Sequence, residues 1–169
     1  MTATIRDEAT DDFVPVAELH QTAFRRDQER WLVDTLREEG WAKLSLVAEI
    51  RQDIVGHILF SEVAIVEESR RIAALSLAPV AVEPRWQRQG IGSALIREGL
   101  ERAARAGHRI VVVLGEPAYY GRFGFSAALA APLRSKYAGE FFQAKELVPR
   151  ALAGVSGEVV YPPPFDALG

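Results

Sequence analysis

Apolar and polar positions change rhythm several times along the 169 residues. Phe13, Val16, Ala17, His20 and Phe24 recur at helical spacing and predict a helix to about Phe24. Thr10, Asp11 and Asp12 offer N-caps for it, and Pro15 falls in its first turn, where proline is tolerated. After the polar break Arg25-Arg26-Asp27, a second helix turns Trp31, Leu32 and Leu36 inward and stops at Gly40. The pattern then becomes that of strands: Leu44 to Ile50, Ile54 to Val66 and Arg71 to Val82, joined by the turn-like Arg51-Gln52-Asp53 and Glu67-Glu68-Ser69-Arg70. A short strand, Thr4 to Asp7, precedes both helices. Pro79 predicts an edge or a bulge in its strand, because proline donates no ladder hydrogen bond. A bulge there splays the strand from its neighbour and opens a cleft.

Helical spacing returns after Gly92, with Ala94, Leu95, Gly99, Leu100 and Ala103 inward and Gly107 as the stop. Ile110 to Leu114 is uninterrupted and β-branched, as expected of a strand buried on both faces. Strand, helix and strand at this length imply a right-handed crossover between parallel neighbours. An antiparallel half thus meets a parallel half in one mixed sheet of the α/β class. Pro117 starts a short helix that Gly124 ends, and Phe141 to Leu147 and Gly157 to Tyr161 are the last strand candidates.

Composition narrows the function. Hydrophobic residues make up 49% and charged residues 25%, values of a globular protein, and the length predicts one domain over residues 1–169. There is no cysteine, which excludes a disulfide framework, a thiolate metal site and a cysteine nucleophile. The three histidines, His20, His57 and His108, have no metal-ligand spacing, so no metal is expected. A net charge of −3 argues against nucleic acid as the main partner. Charged residues interrupt each apolar run before it reaches membrane-spanning length, and the first residues lack the blocks of a signal peptide. A cytoplasmic protein with no membrane partner is the expectation.

The candidate chemistry sits where the strand ending at Val82 meets the helix after Gly92. Pro84 ends the strand, and Arg85 to Gln89 form a basic loop before Gly90-Ile91-Gly92. A helix start carries unpaired N–H groups and partial positive charge, and glycines let a ligand approach the backbone; together they suit a pyrophosphate. Arg85 and Arg88 add charge, and Glu83 is the only acid between Arg71 and Arg97. A P-loop fails because Gly92-Ser93-Ala94 follows where Gly-Lys-Ser/Thr is needed. A Rossmann fingerprint fails because Leu95 stands at the third glycine. What matches is Gln/Arg-x-x-Gly-x-Gly/Ala, as Gln87-Arg88-Gln89-Gly90-Ile91-Gly92. Downstream lies Tyr120-Gly121-Arg122-Phe123-Gly124-Phe125, a tyrosine four positions before a Gly-Phe pair.

These two motifs, in this order on these elements, resemble the GNAT superfamily of N-acetyltransferases, and the doubled Tyr119-Tyr120 with its Arg-Phe-Gly-Phe ending resembles a bacterial subfamily of it. The resemblance implies a mixed, twisted sheet of about seven strands with about four helices, splayed to hold acetyl-CoA. It implies that the Val80-Ala81-Val82 backbone pairs with pantetheine, and that the loop of Gln87, Arg88, Gln89, Gly90, Ile91, Gly92 and Ser93 binds pyrophosphate. Tyr120 then contacts the coenzyme and protonates its leaving thiol. The alternative for Tyr120 is a core tyrosine with a satisfied hydroxyl, and Tyr119 is read as packing. Many family members deprotonate the ammonium with a carboxylate on the central strand or through a water chain; no Asp or Glu lies between Ile72 and Val82, so Glu62 on the preceding strand is the best local candidate for a base, and Glu116 could serve instead. Each also reads as an ordinary residue, Glu62 on a strand surface and Glu116 in a first helical turn. His20 reads as half-buried core, His57 as structural or lining the cleft, and His108 as exposed. Trp31 and Trp41 read as core, and Trp86 as a ring in the loop. The expected activity is acetyl transfer to the primary amine of a small molecule or protein in a ternary complex. A homodimer is open. The competing readings are a coenzyme-A-binding sensor or structural module without turnover, and a nucleotide-binding protein.

Overall fold

The computed structural model describes residues 2–168. Seven strands, β1 (Thr4–Asp7), β2 (Ala42–Ile50), β3 (Asp53–Val66), β4 (Arg71–Val82), β5 (Ile110–Leu114), β6 (Phe142–Glu146) and β7 (Glu158–Val160), form one sheet in the order β1-β2-β3-β4-β5-β6, with β7 on β3. The helices are α1 (Phe13–Phe24), α2 (Gln28–Glu38), α3 (Ile91–Arg105) and the single turns α4 (Pro117–Tyr120) and α5 (Ala127–Ala130). β4 and β5 are parallel across α3, whereas β1–β2, β2–β3, β3–β7 and β5–β6 are antiparallel. The mixed sheet is the one the sequence pattern predicts.

The elements end where backbone sterics say they should. Gly40 and Gly107, past the ends of α2 and α3, take φ of +82° and +94°, conformations that cost a side chain. The β2–β3 hairpin turns on Arg51 and Gln52, both left-handed, and the β3–β4 hairpin closes with a bond from Glu67 N–H to the Arg70 carbonyl.

The chain divides into two compact units. One comprises Met1–Ser61, Ala78–Gly99 and Pro163–Gly169. In it, Val16 and Leu19 of α1, Leu32, Val33 and Leu36 of α2, Leu46 of β2, Ile58 and Phe60 of β3 and Leu95 and Ile96 of α3 are buried. Glycine stands at two of its close approaches. A Cβ on Gly99 would stand 2.8 Å from Phe60 Cζ, and one on Gly56 would stand 2.9 Å from Leu95 Cδ1. The other unit comprises Glu62–Leu77 and Leu100–Pro162. Its core gathers Val63, Ile65, Ile110, Val112, Phe142 and Val159 from four strands, with Ala130 and Leu133 beside them.

Two inward assignments from the pattern are corrected. Trp31 is 45% exposed, because Leu32, Val33 and Leu36 already fill the buried face of α2. Ala94 is exposed and Ile96 buried instead, so the buried face of α3 is rotated from the one read off the sequence.

Candidate active site

The stretch from Val80 to Ser93 belongs to the first unit. Glu83 N–H donates to the Val55 carbonyl at 2.8 Å, so β4 stays on β3 to its end. Among the described residues β4 pairs with β5 only at Leu75↔Val111 and Ser76↔Val112, while the strand continues to Val82. The backbone of Ala78 to Val82 on that edge is therefore not taken up by the β5 ladder. Pro79 is buried in this segment after a cis peptide bond, and its nitrogen has no proton to give.

The loop after β4 is shaped by its own side chains. Pro84–Trp86 make one 3-10 turn. Gln87 Nε2 donates to the Val82 carbonyl at 3.0 Å, and Gln89 Nε2 donates to the Arg85 carbonyl at 3.4 Å. Arg88 and Gly90 both sit in the left-handed region, at φ of 65° and 85°. Left-handed residues interleaved with ordinary ones turn successive N–H groups toward one side, an anion-binding concavity. Ala94 N–H donates to the Gly90 carbonyl at 3.0 Å, the bond that opens α3 at its positive end. Arg85 Nε donates to Glu83 Oε2 at 2.8 Å, so Glu83 answers the Arg85 charge. Trp86 is half-buried. A cavity of about 320 Å³ adjoins the loop, lined by Leu19, Glu18 and Thr22 of α1, by Asp53 and Ile54, and by Glu83 and Arg85.

Tyr120 belongs to the second unit, at the end of α4. Its ring is 9% exposed and lies edge-on to Tyr119 and Phe125, at centroid distances of 5.1 and 5.8 Å. Gly115 makes the space for it: a Cβ there would overlap the ring edge, 2.8 Å from Cδ2. Gly115 is in turn held by its N–H to the Phe141 carbonyl, 2.9 Å, and by Gln143 Nε2 to its own carbonyl, 3.0 Å. Burial, with a smaller contribution from Tyr119, pushes the Tyr120 phenol up to about 12. No hydrogen bond to its hydroxyl is found among the described residues. Tyr119 does pack, edge-on to Phe123 and under the Arg122 guanidinium.

The remaining candidates are dispersed. Glu62 is half-buried in β3, and strand alternation gives it the face of Gly56 and Phe60 rather than that of His57. Glu116 is exposed at the N-cap of α4, where its carbonyl accepts from Tyr119 and Tyr120 N–H. His108 is half-buried before β5. His20 and His57 are fully buried, against the half-buried expectation for His20, and their rings meet at 2.8 Å. Neither Gly115 nor this imidazole contact had a local signal, since the two histidines stand 37 residues apart.

Comparison with known proteins gives this geometry a family context. The family model described as an acetyltransferase (GNAT) domain matches residues 4–128. The N-acetyltransferase YhbS of Escherichia coli K12, named as uncharacterized, is 37% identical over 160 residues, covering 93% of this chain and 95% of YhbS. The crystal structure of Escherichia coli YhbS in complex with CoA superposes with a TM-score of 0.92 at 35% identity, over 100% of this chain and 94% of that one. A GNAT family acetyltransferase from Brucella melitensis in complex with acetyl-CoA superposes with a TM-score of 0.79 at 36% identity, over 97% and 98%.

Proposed function

Because the chain belongs to the GNAT acetyltransferase family, we propose that it transfers the acetyl group of acetyl-CoA to a primary amine, of a small molecule or a protein, by direct attack within a ternary complex. The observation that carries this reading is the continuous path from the β4 edge at Val80–Val82, beyond the β5 ladder, through the left-handed turn at Arg88 and Gly90 to the start of α3. The residues fit the coenzyme: an extended backbone edge suits the amides of pantetheine, and N–H groups at a helix start suit a pyrophosphate. In this reading Val80, Ala81 and Val82 hold the arm, and the backbone from Gln87 through Arg88, Gln89, Gly90, Ile91, Gly92 and Ser93 holds the phosphates. The relatives crystallised with CoA and acetyl-CoA support it.

Acetyl-CoA supplies an activated thioester. The chain's own contribution is placement of the amine, worth several kcal/mol as proximity and orientation, and management of two protons. The ammonium must lose one before attack, and Glu62 is the candidate acceptor for it. The leaving thiol needs one, and the Tyr120 hydroxyl is the candidate donor; burial keeps that phenol protonated throughout the neutral range.

The test is thermal stabilisation by acetyl-CoA, CoA, NADH and ATP, with Gly92→Glu as the control, followed by thiol release on a panel of amines. A ligand at about 100 times its Kd adds roughly 2.7 kcal/mol. Stabilisation by the CoA species alone, lost in Gly92→Glu, supports the loop assignment. Stabilisation without thiol release on any amine favours a coenzyme-binding module. Preference for NADH or ATP overturns the proposal.

A further inference from the structure

A chain of five polar side chains runs through the first unit and plays no part in the chemistry above. Arg37 of α2 donates to Glu8 Oε2 at 2.7 Å. Ser45 of β2 donates to Glu8 Oε1 at 2.8 Å. Ser45 Oγ meets His57 Nε2 at 2.8 Å, and His57 Nδ1 meets His20 Nε2 at 2.8 Å. Both imidazoles are 0% exposed, and among the described residues His20 Nδ1 has no hydrogen-bond partner.

The chain allows only one arrangement of protons while both rings are neutral. Glu8, ion-paired with Arg37, only accepts, so it takes the single Ser45 hydroxyl proton. Ser45 must then accept from His57 Nε2–H. His57 Nδ1 is left as an acceptor and takes His20 Nε2–H, and the bare lone pair falls on His20 Nδ1. One further proton, wherever it enters, ends as a donor N–H at His20 Nδ1 with nothing to receive it. A buried donor without an acceptor is unfavourable, and a buried charge more so. The surroundings do not relieve this: Glu29 of α2, itself bonded to Arg26, favours the proton on His20, while Arg37 opposes it on both rings.

The pair's position gives it leverage. The bond from Glu83 N–H to the Val55 carbonyl holds the end of β4 against the part of β3 that carries His57. His57 therefore ties α1, through His20, to the strand behind Val80–Val82. The same helix supplies Glu18, Leu19 and Thr22 to the cavity whose far wall is Glu83 and Arg85.

We propose that His20 and His57 are positioning residues: doubly neutral and in one tautomer, they seat α1 against β3 beside the coenzyme loop, and uptake of one proton releases that seat and weakens coenzyme binding. The effect on the coenzyme rests on the function proposed above; the seat does not.

The experiment follows amide exchange of α1 and α3 and the Kd for CoA from pH 7.5 to pH 4 in the whole chain, in wild type, His20→Gln and His57→Gln. Glutamine keeps an amide donor and acceptor but does not titrate. In wild type, α1 should lose protection before α3 does, along a titration centred near 4, with a parallel rise in Kd. The glutamine variants, whatever their affinity at pH 7.5, should lack that step, so the variant-to-wild-type ratio of Kd changes with pH even though CoA itself titrates. Simultaneous loss of α1 and α3 in wild type, or an unchanged acid step in both variants, overturns the proposal. If CoA fails to bind at every pH, the coenzyme reading has failed, and the exchange titration alone decides the seat.

Discussion

Tyr120 is held in place by a glycine. Its ring edge occupies the volume where any other residue at position 115 would put a Cβ, so the phenol's orientation is set by packing rather than by a hydrogen bond. Two expectations follow at this scale. Tyr120→Phe keeps the ring and removes the proton; kcat should fall by about 10²-fold or more while the Kd for CoA stays within a few-fold, measured by thiol release and calorimetry. Unchanged kcat removes Tyr120 from the chemistry. Gly115→Ala should displace the ring, destabilising the fold by roughly 1–3 kcal/mol and lowering kcat although Tyr120 is still present; a variant with wild-type kcat would show that ring placement is immaterial. The raised phenol also has a sign in pH. Tyr120 binds its proton more tightly folded than unfolded, so its contribution is intact below pH 10 and is lost as pH rises toward 12.

At the scale of elements, the turn into α3 and the seat of α3 are separate problems with separate glycines. Gly90 is needed for its backbone: φ is +85°, and no atom lies within 4 Å of a Cβ there. Gly99 is needed for its space, because the Phe60 ring fills it. Gly99→Ala should therefore force Phe60 or α3 to move and cost on the order of 1–3 kcal/mol, read as a fall of several degrees in Tm. The loop's N–H groups are remote in sequence from that contact, so the fractional stabilisation by saturating CoA should survive. A variant as stable as wild type would mean that Phe60 repacks without cost. The β3–β4–β5 arrangement shows the same division. Local sequence names the strands, but only the folded chain shows that, among the described residues, the β4–β5 ladder is confined to Leu75 and Ser76 of β4.

For the molecule as a whole, the consequence is acid sensitivity. Burial holds His20 down to about 4 and holds His57 well below its ordinary value. An unfolded histidine takes up its proton near 6.5. The unfolded state therefore binds more protons below that pH, so the stability these rings carry is present above 6.5 and lost as pH falls toward 4. Asp12 extends the trend: hydrogen bonds from Arg6 hold its carboxyl below the usual range, and its contribution disappears below about 3.8. The midpoint of urea unfolding should drop steeply between pH 6.5 and 4, and His20→Gln should flatten that drop. A midpoint independent of pH across this window would contradict the burial of neutral imidazoles.

The sequence by itself determined what depends on neighbours a few positions apart. Periodicity marked the strands and the three long helices, glycines marked their ends, and Gln87 to Gly92 and Tyr120 to Phe125 carried the family. Backbone sterics and side-chain period act over one or two turns, so they are written locally. Tertiary structure alone decided what depends on chain segments meeting. It set Glu8, His20, Arg37, Ser45 and His57 in one line, fitted Tyr120 against Gly115, turned Trp31 outward and paired β7 with β3. Each of these rests on cross-strand register and on which helix face the core fills first, and no residue's immediate neighbours encode either.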